Sequence, residues 1–139
     1  NMTNLILSGM IKRSRGHIFN IGSVAGTYPY PGGNVYGATK AFVHEYTSDL
    51  RIELCDTPIR VTSIEPGMVG GTEFSNVRFG DSDKAKDVYK GINAMSAADI
   101  AEAIYWAATL PPHIGINRLE MMPVQQIFGS PVFSRTPSK

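Results

Sequence analysis

Apolar positions along this chain follow two spacings that take turns. From Asn1 to Met10 they fall near helical spacing, with Leu5, Met10 and Ile11 in line and Met2 and Ile6 alongside. "RGHIFNIGS" then changes to a short apolar run holding Ile18, Phe19 and Ile21. Gly16 precedes it and Gly22 follows, which predicts a buried strand. "VAGTYPYPGGN" reads as a turn-rich loop. Asn34 stands where it could cap the next helix, which carries Val35, Ala38, Phe42, Tyr46 and Leu50 and fades near Cys55. "IRVTSIEPG" follows at once, a β-branched run through Ile59, Val61 and Ile64 that stops at Pro66-Gly67. A glycine-rich loop comes next, then a mixed-charge helix beginning in "DSDKAKD", Asp81 to Asp87. Ser96 and Asp99 have the spacing of a capping box for a helix to about Leu110. Its expected buried side is Ala103, Ala107 and Leu110, with Ile100, Ile104 and Trp106 nearby. "NRLEMMPV" is a last strand, with Met121-Met122 as strand core and Pro123 ending its pairing. The tail from Ile127 is rich in Ser and Pro.

The resulting order is helix, strand, helix, strand, helix, helix, strand. Such alternation predicts an α/β fold, a mainly parallel sheet with helices packed on it. Three strands make a thin sheet and leave a long apolar edge unpaired, so further strands are expected beside "HIFNIGS". The first helix has no cap before it and does not start at Met, and the chain therefore reads as the later part of something longer.

Composition narrows the function classes. Hydrophobic residues make up 42% of 139 residues, enough for one domain with a true core, and the net charge is +1. That balance gives no electrostatic case for nucleic acid or an anionic membrane surface. No apolar run approaches the roughly 18 residues of a membrane span. Cys55 is the single cysteine, expected to be at least half-buried near a helix end, and a cytoplasmic location is the natural expectation. His17, His44 and His113 have no partners at metal-ligand spacing, and His44 is expected to be a solvated helix residue. Glu65 and Glu73 stand eight apart, which alone makes no hydrolase.

The chemistry-bearing stretch is "NVYGATKAF". Residues four apart share a helix face, so Tyr36 and Lys40 are neighbours. A lysine ammonium beside a phenol favours the phenolate, and such a tyrosine can give a proton to a carbonyl oxygen or take one from an alcohol. On spacing alone, the pair reads as an aromatic beside a solvated lysine. Ser23 adds context: it sits thirteen residues before Tyr36, just past the carboxyl end of a buried strand, where open α/β sheets bind ligands. Its hydroxyl could hold the substrate oxygen that Tyr36 protonates, or it could be an ordinary turn residue.

"NIGSVAG", "YGATK" and "RVTSIEPGMVGGT" together, in this order, resemble the short-chain dehydrogenase/reductase family. The resemblance implies a Rossmann-like doubly wound parallel sheet. Residues 1–139 would be the carboxyl-terminal part of a single dinucleotide-binding domain, with about three strands and flanking helices. It implies Tyr36 as the catalytic acid/base and Ser23 as the residue orienting the substrate. Lys40 would hold the nicotinamide ribose and tune Tyr36. It further implies that the loop of Pro66, Gly67, Met68, Val69, Gly70, Gly71 and Thr72 lies along the cofactor, with the Val69 backbone near the carboxamide and Thr72 near the phosphates. "GGNVYGATKAFV", "IEPGMVGGTEFSNVRF" and "INRLEMMPV" are similar to the NADP-dependent 3-hydroxy acid dehydrogenases, a subgroup that also oxidises serine and allo-threonine. That likeness runs from about Gly16 to Val124 and implies NADP as cofactor and a small hydroxy acid such as 3-hydroxybutyrate as substrate. Arg78 is either a carboxylate anchor or a surface residue.

The sequence departs from the family in one large respect. The GxxxGxG turn that receives dinucleotide phosphates is not supplied: Gly22 and Gly26 have the right gap, but Tyr28 stands in the third place. The family's NNAG element and active-site asparagine also find no match, and neither Asn1 nor Asn4 is assigned that role. The residues that choose between NAD and NADP belong to the same absent half, so that choice stays open here. Two readings follow. The chain is half of an oxidoreductase that needs its amino-terminal half, in a homo-oligomer that is a tetramer when complete. Or it is a noncatalytic oligomerisation module.

Overall fold

The computed structural model describes residues 2–80 and 88–128. The "DSDKAKD" stretch, the side chain of Arg78 and the tail beyond Phe128 lie outside the described residues. Helix α1 spans Met2–Lys12, strand β1 Gly16–Ile21, helix α2 Asn34–Glu53 and strand β2 Ile59–Pro66. Short helix α3 covers Phe74–Phe79, helix α4 Ala97–Thr109 and strand β3 Arg118–Met121.

The sheet is wholly parallel, in the order β1-β2-β3. Parallel strands need long crossovers, and α2 supplies the one between β1 and β2. β2 is the centre of the molecule: Thr62, Ser63, Ile64 and Glu65 are each at most 1% exposed. Ile18, Val61, Ile59, Leu50 and Leu54 form the core between the sheet and α2, with Leu7, Met10 and Tyr46 packed against it. The outer edge of β1 pairs with no strand among the described residues, as the thin sheet led us to expect.

Long-range polar contacts stitch these layers. Asn20 on β1 donates to Thr47 Oγ1 on α2 at 3.0 Å, and Thr47 in turn donates to the Val43 carbonyl. Arg60 on β2 reaches the carboxyl end of α4, its guanidinium donating to the carbonyls of Ala107, Ala108, Leu110 and Ile114 at 3.0 to 3.5 Å. The end of a helix exposes unsatisfied carbonyls and partial negative charge, and a half-buried cation there answers both. The other end of α4 has the expected capping box between Ser96 and Asp99.

Four local expectations are corrected. Gly33, not Asn34, occupies the cap position of α2; Asn34 is the first helical residue, its Oδ1 accepting from the Val35 N–H. The apolar stripe of α2 is covered only at its far end: Leu50 is buried, whereas Val35 and Phe42 are 73% and 70% exposed. Cys55 is exposed, because Leu54 takes the inward position where the helix ends. His44 is not a freely solvated residue. It is half-buried, with Nδ1 3.7 Å from the buried carboxylate of Glu65.

Candidate active site

The carboxyl ends of β1 and β2, the first turns of α2 and the segment after β2 enclose a cleft of about 610 Å³. Ser23, Tyr36 and Lys40 all line it, as do Pro66, Gly67, Met68, Val69 and Thr72. Gly70 and Gly71, assigned with them from the sequence, are not on its lining.

Ser23 follows β1 in extended conformation and caps a single 3-10 turn, Val24–Gly26. Its Oγ accepts from the Ala25 N–H at 3.2 Å and donates to the Pro66 carbonyl at 3.3 Å. The hydroxyl is thus held between the ends of β1 and β2. The turn residue and the cleft residue are one and the same. The turn can lie against α2 because position 26 is glycine: a Cβ there would sit 2.8 Å from the Lys40 backbone.

Lys40 stretches back from α2 to the end of β1, its Nζ donating to the Ile21 carbonyl at 2.9 Å. The same ammonium stands 5.7 Å from the centre of the Tyr36 ring, within cation–π range. Loss of solvation lowers the Lys40 pKa below that of a free lysine. Tyr36 packs its ring against Phe74 of α3, centroids 5.2 Å apart. Among the described residues its hydroxyl has no hydrogen-bond partner. Two other tyrosines on the cleft are committed. Tyr28 Oη donates to Glu120 at 3.2 Å, and Tyr89 Oη donates to the Val69 carbonyl at 3.1 Å. Burial and the Glu120 carboxylate both push the Tyr28 hydroxyl pKa upward.

The segment after β2 is pinned largely through its backbone. Gly67 N–H donates to Met121 O at 2.7 Å and Met68 N–H to Gln126 Oε1 at 2.8 Å. Met95 bridges in parallel to Val69, through bonds to Met68 O and from Gly70 N–H. In such a bridge the central residue's own N–H and carbonyl turn to the opposite side. The Val69 N–H and carbonyl therefore face away from Met95, the carbonyl accepting from Tyr89, and this residue lines the cleft. That arrangement suits an amide-bearing ring such as nicotinamide. No glycine-rich phosphate turn accompanies it in this chain.

Behind the cleft lies a network that local sequence patterns do not disclose. Glu65, 1% exposed, accepts from Ser63 Oγ at 2.9 Å and pairs with Arg118 at 2.6 Å. Arg118 also pairs with Glu120, which accepts from Tyr28. The parallel register brings Glu65 opposite Glu120, and Arg118 two residues earlier on β3 bridges the two carboxylates. No group of His, Cys, Asp and Glu suited to a metal ion occurs among the described residues.

Residues 1–82 match the family described as short chain dehydrogenase. This chain belongs to that family. Among curated proteins it is 59% identical, over 128 residues, to "NADP-dependent 3-hydroxy acid dehydrogenase YdfG" of Salmonella typhi, covering 91% of this chain and 52% of that one. It is 52% identical over 129 residues to "Serine 3-dehydrogenase" of Agrobacterium fabrum, covering 92% of this chain and 51% of that one. Among solved structures it superposes with a TM-score of 0.93 and 55% identity on the closed form of a serine dehydrogenase complexed with NADP+, over 97% of this chain and 55% of that one. The three parallel strands and their helices are thus the Rossmann-like arrangement of a short-chain dehydrogenase. The chain spans about half the length of the curated relatives it matches.

Proposed function

We propose that this chain supplies the acid–base half of an NADP-dependent dehydrogenase acting on a small 3-hydroxy acid such as serine, allo-threonine or 3-hydroxybutyrate. In this reading it is the carboxyl-terminal part of one dinucleotide-binding domain. The observation that carries the reading is the Tyr36 hydroxyl: it is without a hydrogen-bond partner among the described residues, on a cleft shared with Ser23 and Lys40. The named relatives support the substrate class and favour NADP over NAD.

The bound nicotinamide would accept a hydride from the hydroxyl-bearing carbon of the substrate. Tyr36 takes the hydroxyl proton as that hydride leaves, so an alcohol becomes a carbonyl; in reduction Tyr36 returns the proton to the carbonyl oxygen. Ser23 exchanges its 3.3 Å bond to Pro66 O for one to the substrate oxygen, fixing it beside the phenol. Lys40 stabilises the negative charge on the tyrosine oxygen and is suited to hold the ribose. Val69 and Thr72 are suited to the nicotinamide amide and to a phosphate oxygen.

The test is binding and turnover with and without an amino-terminal half. The chain alone should bind NADPH weakly or not at all by nicotinamide fluorescence. Co-expression with the amino-terminal half of the Salmonella typhi relative should restore binding and serine oxidation. A folded complex that does neither would refute the reading.

A second reading draws on the exposed apolar face of α2. Val35 and Phe42, with Met2 and Leu5 exposed on α1, support association into a homo-oligomer, a tetramer in the complete protein. The same surface would serve a noncatalytic module. Phe42→Glu should lower the mass of the assembly in sedimentation. Unchanged mass would dismiss this face.

A further inference from the structure

Between β2 and α3 the chain passes through Gly70 and Gly71, and Gly71 takes a positive φ of 71° with nothing near enough to touch an added Cβ. Side-chain packing therefore does not hold the chain at this joint, Gly71. Backbone bonds fix the side before it, through Met68 and Gly70 to Met95. Among the described residues, the Tyr89 side chain spans it. Tyr89 Oη donates to the Val69 carbonyl at 3.1 Å, ahead of the joint, and lies 2.7 Å from Ser75 Oγ, beyond it. Because the tyrosine proton goes to Val69, Ser75 is the donor in the second bond, and both hydroxyl protons are used.

Ser75 is only 4% exposed, so its hydroxyl must find a partner inside the protein. Its neighbour Phe74 is the ring packed against Tyr36. A chain of contact thus runs from Tyr89 through Ser75 and Phe74 to the tyrosine proposed to carry the proton.

We propose that Tyr89 is a positioning residue: its hydroxyl latches α3 to the segment after β2 and so holds Phe74 against Tyr36. The catalytic consequence rests on the dehydrogenase reading above, while the latch itself does not. Removing the hydroxyl frees rotation at Gly71, and the Tyr36 ring loses its support while Ser23, Tyr36 and Lys40 themselves are unaltered.

The test uses the chain assembled with the amino-terminal half of the Salmonella typhi relative. In Tyr89→Phe, which removes both bonds of the latch, amide hydrogen exchange across residues 69–75 should rise about five- to tenfold. The kcat for serine should fall about tenfold with the NADPH dissociation constant unchanged, and the unfolding midpoint should drop modestly because the buried Ser75 hydroxyl loses its partner. Ser75→Ala, which cuts the other end of the latch, should do the same, and the double variant should be no worse than either. Unchanged exchange in both variants overturns the latch, and faster exchange with undiminished kcat overturns its positioning role. If the unaltered assembly shows no turnover, the dehydrogenase reading fails, and the exchange measurement still decides the latch.

Discussion

Lys40 Nζ donates to the carbonyl of Ile21 across 2.9 Å, joining the second turn of α2 to the last residue of β1. That bond fixes where the ammonium stands relative to the Tyr36 ring. Lys40→Met keeps the length of the side chain and removes both donor and charge. It should lower kcat in the assembled protein by about 10²–10³-fold. Partial desolvation of the ammonium opposes its burial, so thermal stability should change little. Steady-state rates beside a melting curve separate the two effects.

A methyl group at position 26 would strike the backbone of Lys40, so the turn bearing Ser23 would have to move away from α2. Gly26→Ala should cost about tenfold in kcat, since catalytic groups tolerate little displacement. Rates equal to the unaltered protein would mean that the Ser23 turn and α2 need no such close approach.

Arg60 makes its contribution in stability. Arg60→Ala leaves three carbonyls at the end of α4 and that of Ile114 beyond it without this donor, one of them on fully buried Ala107. The expected loss is about 2 kcal/mol by urea denaturation. Lysine, with a single ammonium, should recover less than half of it.

His17 responds to acid. Thr62 gives its proton to Ile116 O, so His17 Nε2 must donate to Thr62 Oγ1, leaving Nδ1 bare and without a partner. Burial first and the Arg60 charge second lower its pKa to about 4 from its ordinary value of 6.5. The unfolded chain binds the proton more readily, so this contribution is complete above pH 6.5 and is lost as pH falls through about 4. His17→Phe should flatten the pH dependence of the urea midpoint across that window. A His17 imidazole that titrates near 6.5 by NMR would contradict it.

Much of this was legible in the chain. β2 announces itself because a strand buried on both faces has no polar alternation to confuse it, whereas β1, expected buried, buries only Ile18; the sheet came out parallel as the element order required. Ser23, Tyr36 and Lys40 were legible because each sits at a structural landmark, a strand end or a helix turn. The helix stripe through Val35 and Phe42 told which residues share a face but not what covers it. Glu65, Arg118, His44 and Tyr89 escaped for a different reason. Their partners lie on other elements, and only the assembled register brings them within reach.

The most direct measurement is serine-dependent NADP reduction, followed by absorbance, in the chain assembled with a relative's amino-terminal half, with and without Tyr36→Phe. Removing that one hydroxyl should abolish turnover while NADPH fluorescence still reports a bound cofactor. Turnover that survives the substitution would contradict the role given to Tyr36.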